Sequence, residues 1–279
     1  MTTNSLNLSN LRLAVLIDAE NVPRNCIKRV MEEIAIYGTP TIKRIYGDWT
    51  SPVVSGWKSS LLENAITPIQ QYSYTQGKNS SDSAMIIDAM DILYTERTDG
   101  FVIVSSDSDF TRLAIRLREA GQRVIGIGER KTPRAFIAAC DKFTYIEVIN
   151  KRYADTMLAE GGALNEAEGK AEADDKTEQD VQLSSPQKKH DRPKTQTPVP
   201  DDVVEIIADS VADLAGDSGS VFLGELGNLI LKKQPDFDYR NFGHKSLTSM
   251  IKSIDRFETE FRQTADPNIK HVFVRDKES

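Results

Sequence analysis

Between Leu11 and Ile149 the chain repeats one pattern: a short apolar run, then a stretch with apolar residues at helical intervals. LRLAVLI (11–17), IKRIYG (42–47), ITPIQQY (66–72), FVIVS (101–105), RVIGIG (123–128) and TYIEVI (144–149) read as strands. Helical spacing fills roughly 24–37, 53–64, 82–95 and 109–120. In the last of these Phe110, Leu113, Ala114 and Leu117 mark one face, and Gly121 suits the position just past the helix end. Strand and helix in alternation predict an α/β domain: a parallel sheet between two helical layers, spanning 11–150.

Composition changes after Tyr153. Residues 151–200 hold almost no aromatic or β-branched clusters and end rich in Pro, Gln, Lys and Thr. Such a segment buries too little apolar surface to offset chain entropy, so a flexible linker is expected. Beyond it, 201–277 reads as helix (201–215), a short Val221-Phe222 segment, helices over 223–233 and 239–253, and a strand pair at 257–262 and 269–275 turned at Asp266-Pro267-Asn268. Three helices and a hairpin give the small α+β winged-helix layout.

The carboxylates that follow the predicted strands carry the functional reading. In a parallel sheet, ligands bind outside the carboxyl ends of the strands. Asp18 follows the first run, Asp82 closes the loop after the third, and Asp107 and Asp109 follow the fourth. Four acids at one rim repel unless some stay protonated or a cation joins them, and a hard divalent ion with oxygen ligands resolves the conflict. Taken singly, each acid fits a helix cap better, with Ser81/Asp82 and Ser108/Asp109 placed where caps are wanted. Their recurrence at three strand–helix junctions favours the metal. Asp88, about 240° around the helix from Asp82, fits a supporting role, and Asp91 a solvated one.

LAVLIDAENV, GKNSSDSAMIIDAMDIL and VIVSSDSDFTRLAIRLREAGQRVIGIG together resemble the three signature segments of NYN domains, in the PIN-like ribonuclease superfamily, most closely its LabA-like branch. The resemblance implies a Mg²⁺- or Mn²⁺-dependent phosphodiester hydrolase with Asp18, Asp82, Asp107 and Asp109 as ligands, and Asn21 as the polar residue beside the first. Ser106 stands where many relatives carry glycine. VFLGELGNLILKKQPDFDYRNFGHKSLTSMIKSIDRFE resembles the LOTUS, or OST-HTH, winged helix, which implies RNA binding or partner binding.

Within that reading Ser105, Ser106 and Asn21 are candidates for placing a water or phosphate oxygen. Lys78, Arg130, Lys131 and Arg134 are candidates for flanking phosphates. Trp49, Tyr72 and Tyr74 suit base stacking or, equally, core packing. Arg240, His244, Lys245 and Lys252 could form a basic stripe on the third winged-helix helix. Charge is distributed against a general nucleic-acid binder: residues 1–150 carry 17 basic and 17 acidic side chains, and 201–279 carry 10 and 15. A non-catalytic RNA-binding or regulatory adaptor on a nuclease fold is the rival reading, and self-association is open.

Other classes fit less well. A glycosyltransferase-type D-x-D would leave Asp18 and Asp82 without a task. A haloacid-dehalogenase-type phosphatase needs Asp, not Glu20, two places after Asp18. No glycine-rich turn follows the first strand, which disfavours a dinucleotide enzyme. Two cysteines and three scattered histidines make neither a disulfide framework nor a zinc cluster. No apolar run approaches the ~20 residues of a membrane span, and the N-terminal residues lack signal-peptide character, so a cytoplasmic protein is expected.

Overall fold

The computed structural model describes residues 11–51, 54–72, 80–95, 97–154, 198–216, 219–263 and 270–278. Strands β1 (Arg12–Asp18), β2 (Thr39–Gly47), β3 (Thr67–Gln70), β4 (Gly100–Val104), β5 (Arg123–Gly128) and β6 (Lys142–Tyr145) form one sheet in the order β3-β2-β1-β4-β5-β6. Every neighbouring pair is parallel.

The unbroken apolar runs follow from burial on both faces. In β1, Leu13, Val15 and Ile17 join the core under helices α1 (Ile27–Tyr37), α2 (Lys58–Asn64) and α6 (146–154). Ala14 and Leu16 point the other way, into the core under α3 (Ser80–Thr95), α4 (Thr111–Glu119) and α5 (Arg134–Ala139). The period of two thus splits one sequence run between two cores.

Several boundaries differ from the sequence expectation: β2 begins at Thr39 rather than Ile42, β3 spans only Thr67–Gln70, and a 3-10 turn, Ser55–Trp57, precedes α2. The strand expected over 144–149 ends at Tyr145, and the chain turns helical from Ile146. Ile146 and Ile149, three apart, both bury against the α1-side core, a spacing that a helix satisfies and a strand cannot. The helix expected from residue 24 begins as a 3-10 turn, Arg24–Cys26, before α1. The linker lies outside the described residues except for 151–154, in α6, and 198–200; so do Lys78, Tyr74 and the 266–268 turn.

The second unit comprises α7 (Asp201–Leu214), β7 (Val221–Phe222), α8 (Leu223–Lys233), α9 (Leu247–Ile251), β8 (Phe257–Gln263) and β9 (Lys270–Asp276). Its antiparallel sheet runs β7-β9-β8. Val203, Ile207 and Val211 form the stripe of α7 that packs on Leu226, Ile230, Met250 and Val274. The single helix expected over 239–253 is two pieces. A 3-10 turn, Tyr239–Phe242, ends at Gly243 in the left-handed conformation (φ 81°), and Ser246 opens α9 with a capping box.

The two units touch along the outer edge of β6. Phe143 N donates to Pro235 O at 2.8 Å, so the chain before the 3-10 turn covers an otherwise open strand edge. Beside it, Arg240 donates to both oxygens of Glu33 on α1, at 2.6 and 2.9 Å. Burial alone would raise the Glu33 carboxyl, but hydrogen bonds from Arg240 and Tyr37 outweigh it and hold the group below its ordinary range.

Candidate metal centre

The strand order reverses between β1 and β4, and the crevice at such a switch point is where a parallel sheet receives ligands. Ile17 of β1 sits level with Val104 of β4. The residues that follow each strand therefore emerge side by side: Asp18 from β1, and Ser105 to Asp109 from β4.

Asp18 is 2% exposed and fully engaged. Its Oδ1 accepts from the backbone N–H groups of Glu20 (3.0 Å) and Asn21 (3.2 Å); its Oδ2 accepts from Asn21 Nδ2 and Ser105 Oγ, both at 2.8 Å. Ser105 is completely buried, and its oxygen also accepts from Asp107 N at 3.1 Å. Ser105 and Asn21 thus both hold Asp18 in place. Ser106 behaves likewise: its Oγ accepts from Glu129 N at 2.8 Å, so the hydroxyl is turned onto the β5 loop.

Asp107 caps the 3-10 turn after β4, accepting from Asp109 N at 2.9 Å. The cap expected at Ser108/Asp109 therefore belongs to Asp107, because the buried Phe110 anchors the turn one residue earlier than the periodicity implies. Asp82 lies in the first turn of α3, whose Met85, Ala89 and Ile92 are buried against the sheet. Asp88 of the same helix accepts from Arg44 and from the Tyr46 hydroxyl on β2. Nothing in the sequence reading pointed to that pairing, although Arg44 and Tyr46 stand two apart on one strand face.

These elements bring one carboxylate oxygen each from Asp82, Asp107 and Asp109 within 4.8 Å of one another. Donors on an octahedral ion at ~2.1 Å lie about 3–4 Å apart, so small side-chain rotations bring three oxygens onto one cation. Asp82 is 7% exposed, and among the described residues no donor or cation reaches its carboxylate. Burial first, then the charges of Asp18, Asp107, Asp109 and Glu20, push it up to about 7. Asp18 lies outside the three-oxygen group but adds the largest single charge effect on Asp82. Three converging carboxylates, with Asp82 buried among them, are a group that a hard cation would complete.

The basic candidates are dispersed. Arg130 is exposed, its guanidinium 5.3 Å from the Tyr145 ring centroid. Lys131 pairs with Glu129 at 2.6 Å, and Arg134 with Asp236 of the second unit at 3.1 Å. Arg240 is not on an open stripe: its side chain, 16% exposed, is held by Glu33 and Asp238. His244 is buried, Lys252 lies 4.8 Å from the Phe261 ring centroid, and Lys245 is exposed. Trp49 packs partly on the core with Nε1 bonded to Ile69 O, whereas Tyr72 is exposed.

Among solved structures, a protein of unknown function from Vibrio parahaemolyticus is 19% identical, with a TM-score of 0.42, over 52% of this chain and 96% of that one. An uncharacterized protein from Nitrosomonas europaea, solved by NMR, is 34% identical, with a TM-score of 0.27, over 36% of this chain and 92% of that one. Comparison with curated proteins gives no match. The family model of the NYN domain matches residues 12–147, and that of the OST-HTH/LOTUS domain matches 198–269. The chain is an NYN-domain protein that also carries an OST-HTH/LOTUS domain.

Proposed function

We propose that the chain is a metal-dependent ribonuclease that hydrolyses phosphodiester bonds of single-stranded RNA. The observation that carries this reading is the convergence of Asp82, Asp107 and Asp109, with the Asp82 carboxyl raised to about 7 by burial and its acidic neighbours. These three side chains would hold Mg²⁺ or Mn²⁺, with Asp18 adding its negative charge nearby. A bound divalent ion supplies an acidified water and a counter-charge for the phosphate.

The chain's own residues do the rest. Asn21 and Ser105 fix Asp18, and Ser105 also fixes the start of the Asp107 turn. Arg130 and Lys131, on the loop after β5, are exposed and suited to phosphates flanking the cut. The OST-HTH/LOTUS domain adds RNA contact. The two cysteines, buried and free, suit a reducing compartment, and we place the activity in the cytoplasm.

The test is cleavage of an end-labelled single-stranded RNA by wild type and Asp107→Asn across a Mn²⁺ titration. We expect wild-type cleavage that EDTA abolishes and a loss of about 100-fold or more in the variant. Equal rates for the two proteins, or cleavage that persists in EDTA, would remove the assignment and leave a non-catalytic adaptor.

A further inference from the structure

Where the two domains meet they enclose a cleft of about 1350 Å³, and its chemistry differs from that of either domain as a whole. The OST-HTH/LOTUS region is acidic and the NYN region neutral, yet six basic side chains line the cleft against two carboxylates. Both carboxylates, Glu33 and Asp238, are already bonded to Arg240. Lys151 from α6, Lys245 from the loop before α9 and Lys270 from β9 are exposed, and among the described residues no carboxylate pairs with them. Lys142 adds a fourth amine from β6. Positive charge is therefore gathered from both domains onto one surface, while the acids of α7 line none of it.

The cleft wall also carries aromatic rings. Phe222 lies in its wall with the His271 ring 4.7 Å away, centroid to centroid, at an interplanar angle of 35°. The Phe222 ring reaches so close to Gly224 that a side chain there would come within 2.6 Å of it. Any residue but glycine would displace the ring. Aromatic rings beside lysines that no carboxylate pairs among the described residues are an arrangement that single-stranded nucleic acids use: amines neutralise phosphates, and unpaired bases stack.

We infer that this interdomain cleft is a binding site for single-stranded nucleic acid, separate from the carboxylate centre. Lys151, Lys245 and Lys270 contact the backbone there, and Phe222 stacks on a base. The site needs both domains in the arrangement that the Glu33–Arg240 pair holds. It rests on the nuclease reading only in its choice of ligand, since it would hold a strand whether or not the chain cuts it.

Fluorescence anisotropy of the full chain with a labelled 20-nucleotide single-stranded RNA, in EDTA, tests it. The triple variant Lys151→Glu/Lys245→Glu/Lys270→Glu is expected to bind at least 10-fold more weakly, with the salt slope reduced by about 0.7 for each phosphate no longer neutralised. Phe222→Ala should weaken binding several-fold with the slope unchanged. Lys58→Glu, exposed on α2 and outside the cleft, should bind as wild type does. A single-stranded DNA of the same sequence should compete and the matching duplex should not.

Unchanged binding by both cleft variants overturns the proposal. So does equal competition by polyglutamate, which would make the cleft a site for acidic protein. The same RNA incubated with Mn²⁺ separates the two readings. Cleavage with cleft-independent binding sinks this site alone; cleft-dependent binding without cleavage sinks the nuclease assignment alone.

Discussion

The Ser105 hydroxyl donates to Asp18 across 87 positions of sequence, joining the end of β1 to the turn that carries Asp107 and Asp109. The same oxygen accepts from Asp107 N. One small buried side chain thus sets the spacing between the first carboxylate and the later pair.

Ser105→Ala should keep the fold, because alanine fits the same space. It leaves Asp18 one donor short and Asp107 N without an acceptor, at a cost of about 1–3 kcal/mol. Thermal unfolding should register that loss, and RNA cleavage in Mn²⁺ should fall by about 10-fold or more. Threonine, which retains the hydroxyl, should recover part of the cleavage.

The raised Asp82 carboxyl makes metal-free stability depend on pH in a fixed direction. Its folded value lies above the unfolded one, so its contribution is complete below about pH 4 and is lost as pH rises through about 7. In EDTA, Asp82→Asn should match wild type near pH 4 and exceed it at pH 8, by on the order of 2–4 kcal/mol. Chemical denaturation at the two pH values measures the difference. A variant equally stable or less stable than wild type at pH 8 would show that the site does not store this repulsion.

Arg240→Ala should open the domain junction. Glu33 is 3% exposed, and truncating the partner of a buried carboxylate costs about 3–5 kcal/mol. Because each domain has its own core, the loss should appear as separation of the domains, seen as a larger radius of gyration in solution scattering. Acid should do the same. The Glu33 carboxyl is held below its ordinary range, so its contribution is present above about pH 4.3 and is lost as pH falls.

Asp88→Ala should loosen α3 while leaving the metal ligands in place. Arg44 and the buried Tyr46 hydroxyl both lose an acceptor, and we expect about 2–3 kcal/mol of destabilisation. Hydrogen exchange should rise in α3, and the Mn²⁺ midpoint for cleavage should move upward because Asp82 sits on that helix.

Much of the fold was legible because it is written in short-range periodicity. FVIVS and RVIGIG are apolar at nearly every position since both sheet faces are covered, and the amphipathic stretches between them leave parallel crossovers as the connection. The positions of Asp18, Asp82 and Asp107 beside strand or helix ends were equally plain. Ile146 was not, because a run of six residues with three apolar ones suits a strand edge or a helix turn until a neighbour is present to pack against.

The sequence by itself determined the parallel α/β sheet, the small second unit of helices and an antiparallel sheet, and that acids stand close after several strands, since each is written in residues within a few positions of one another. Only the tertiary structure decided which acid is engaged in local hydrogen bonds, and that Arg240 meets Glu33, 207 positions away. Those outcomes turn on strand register and on how the domains pack, and a charged side chain takes whichever partner the fold brings within about 3 Å.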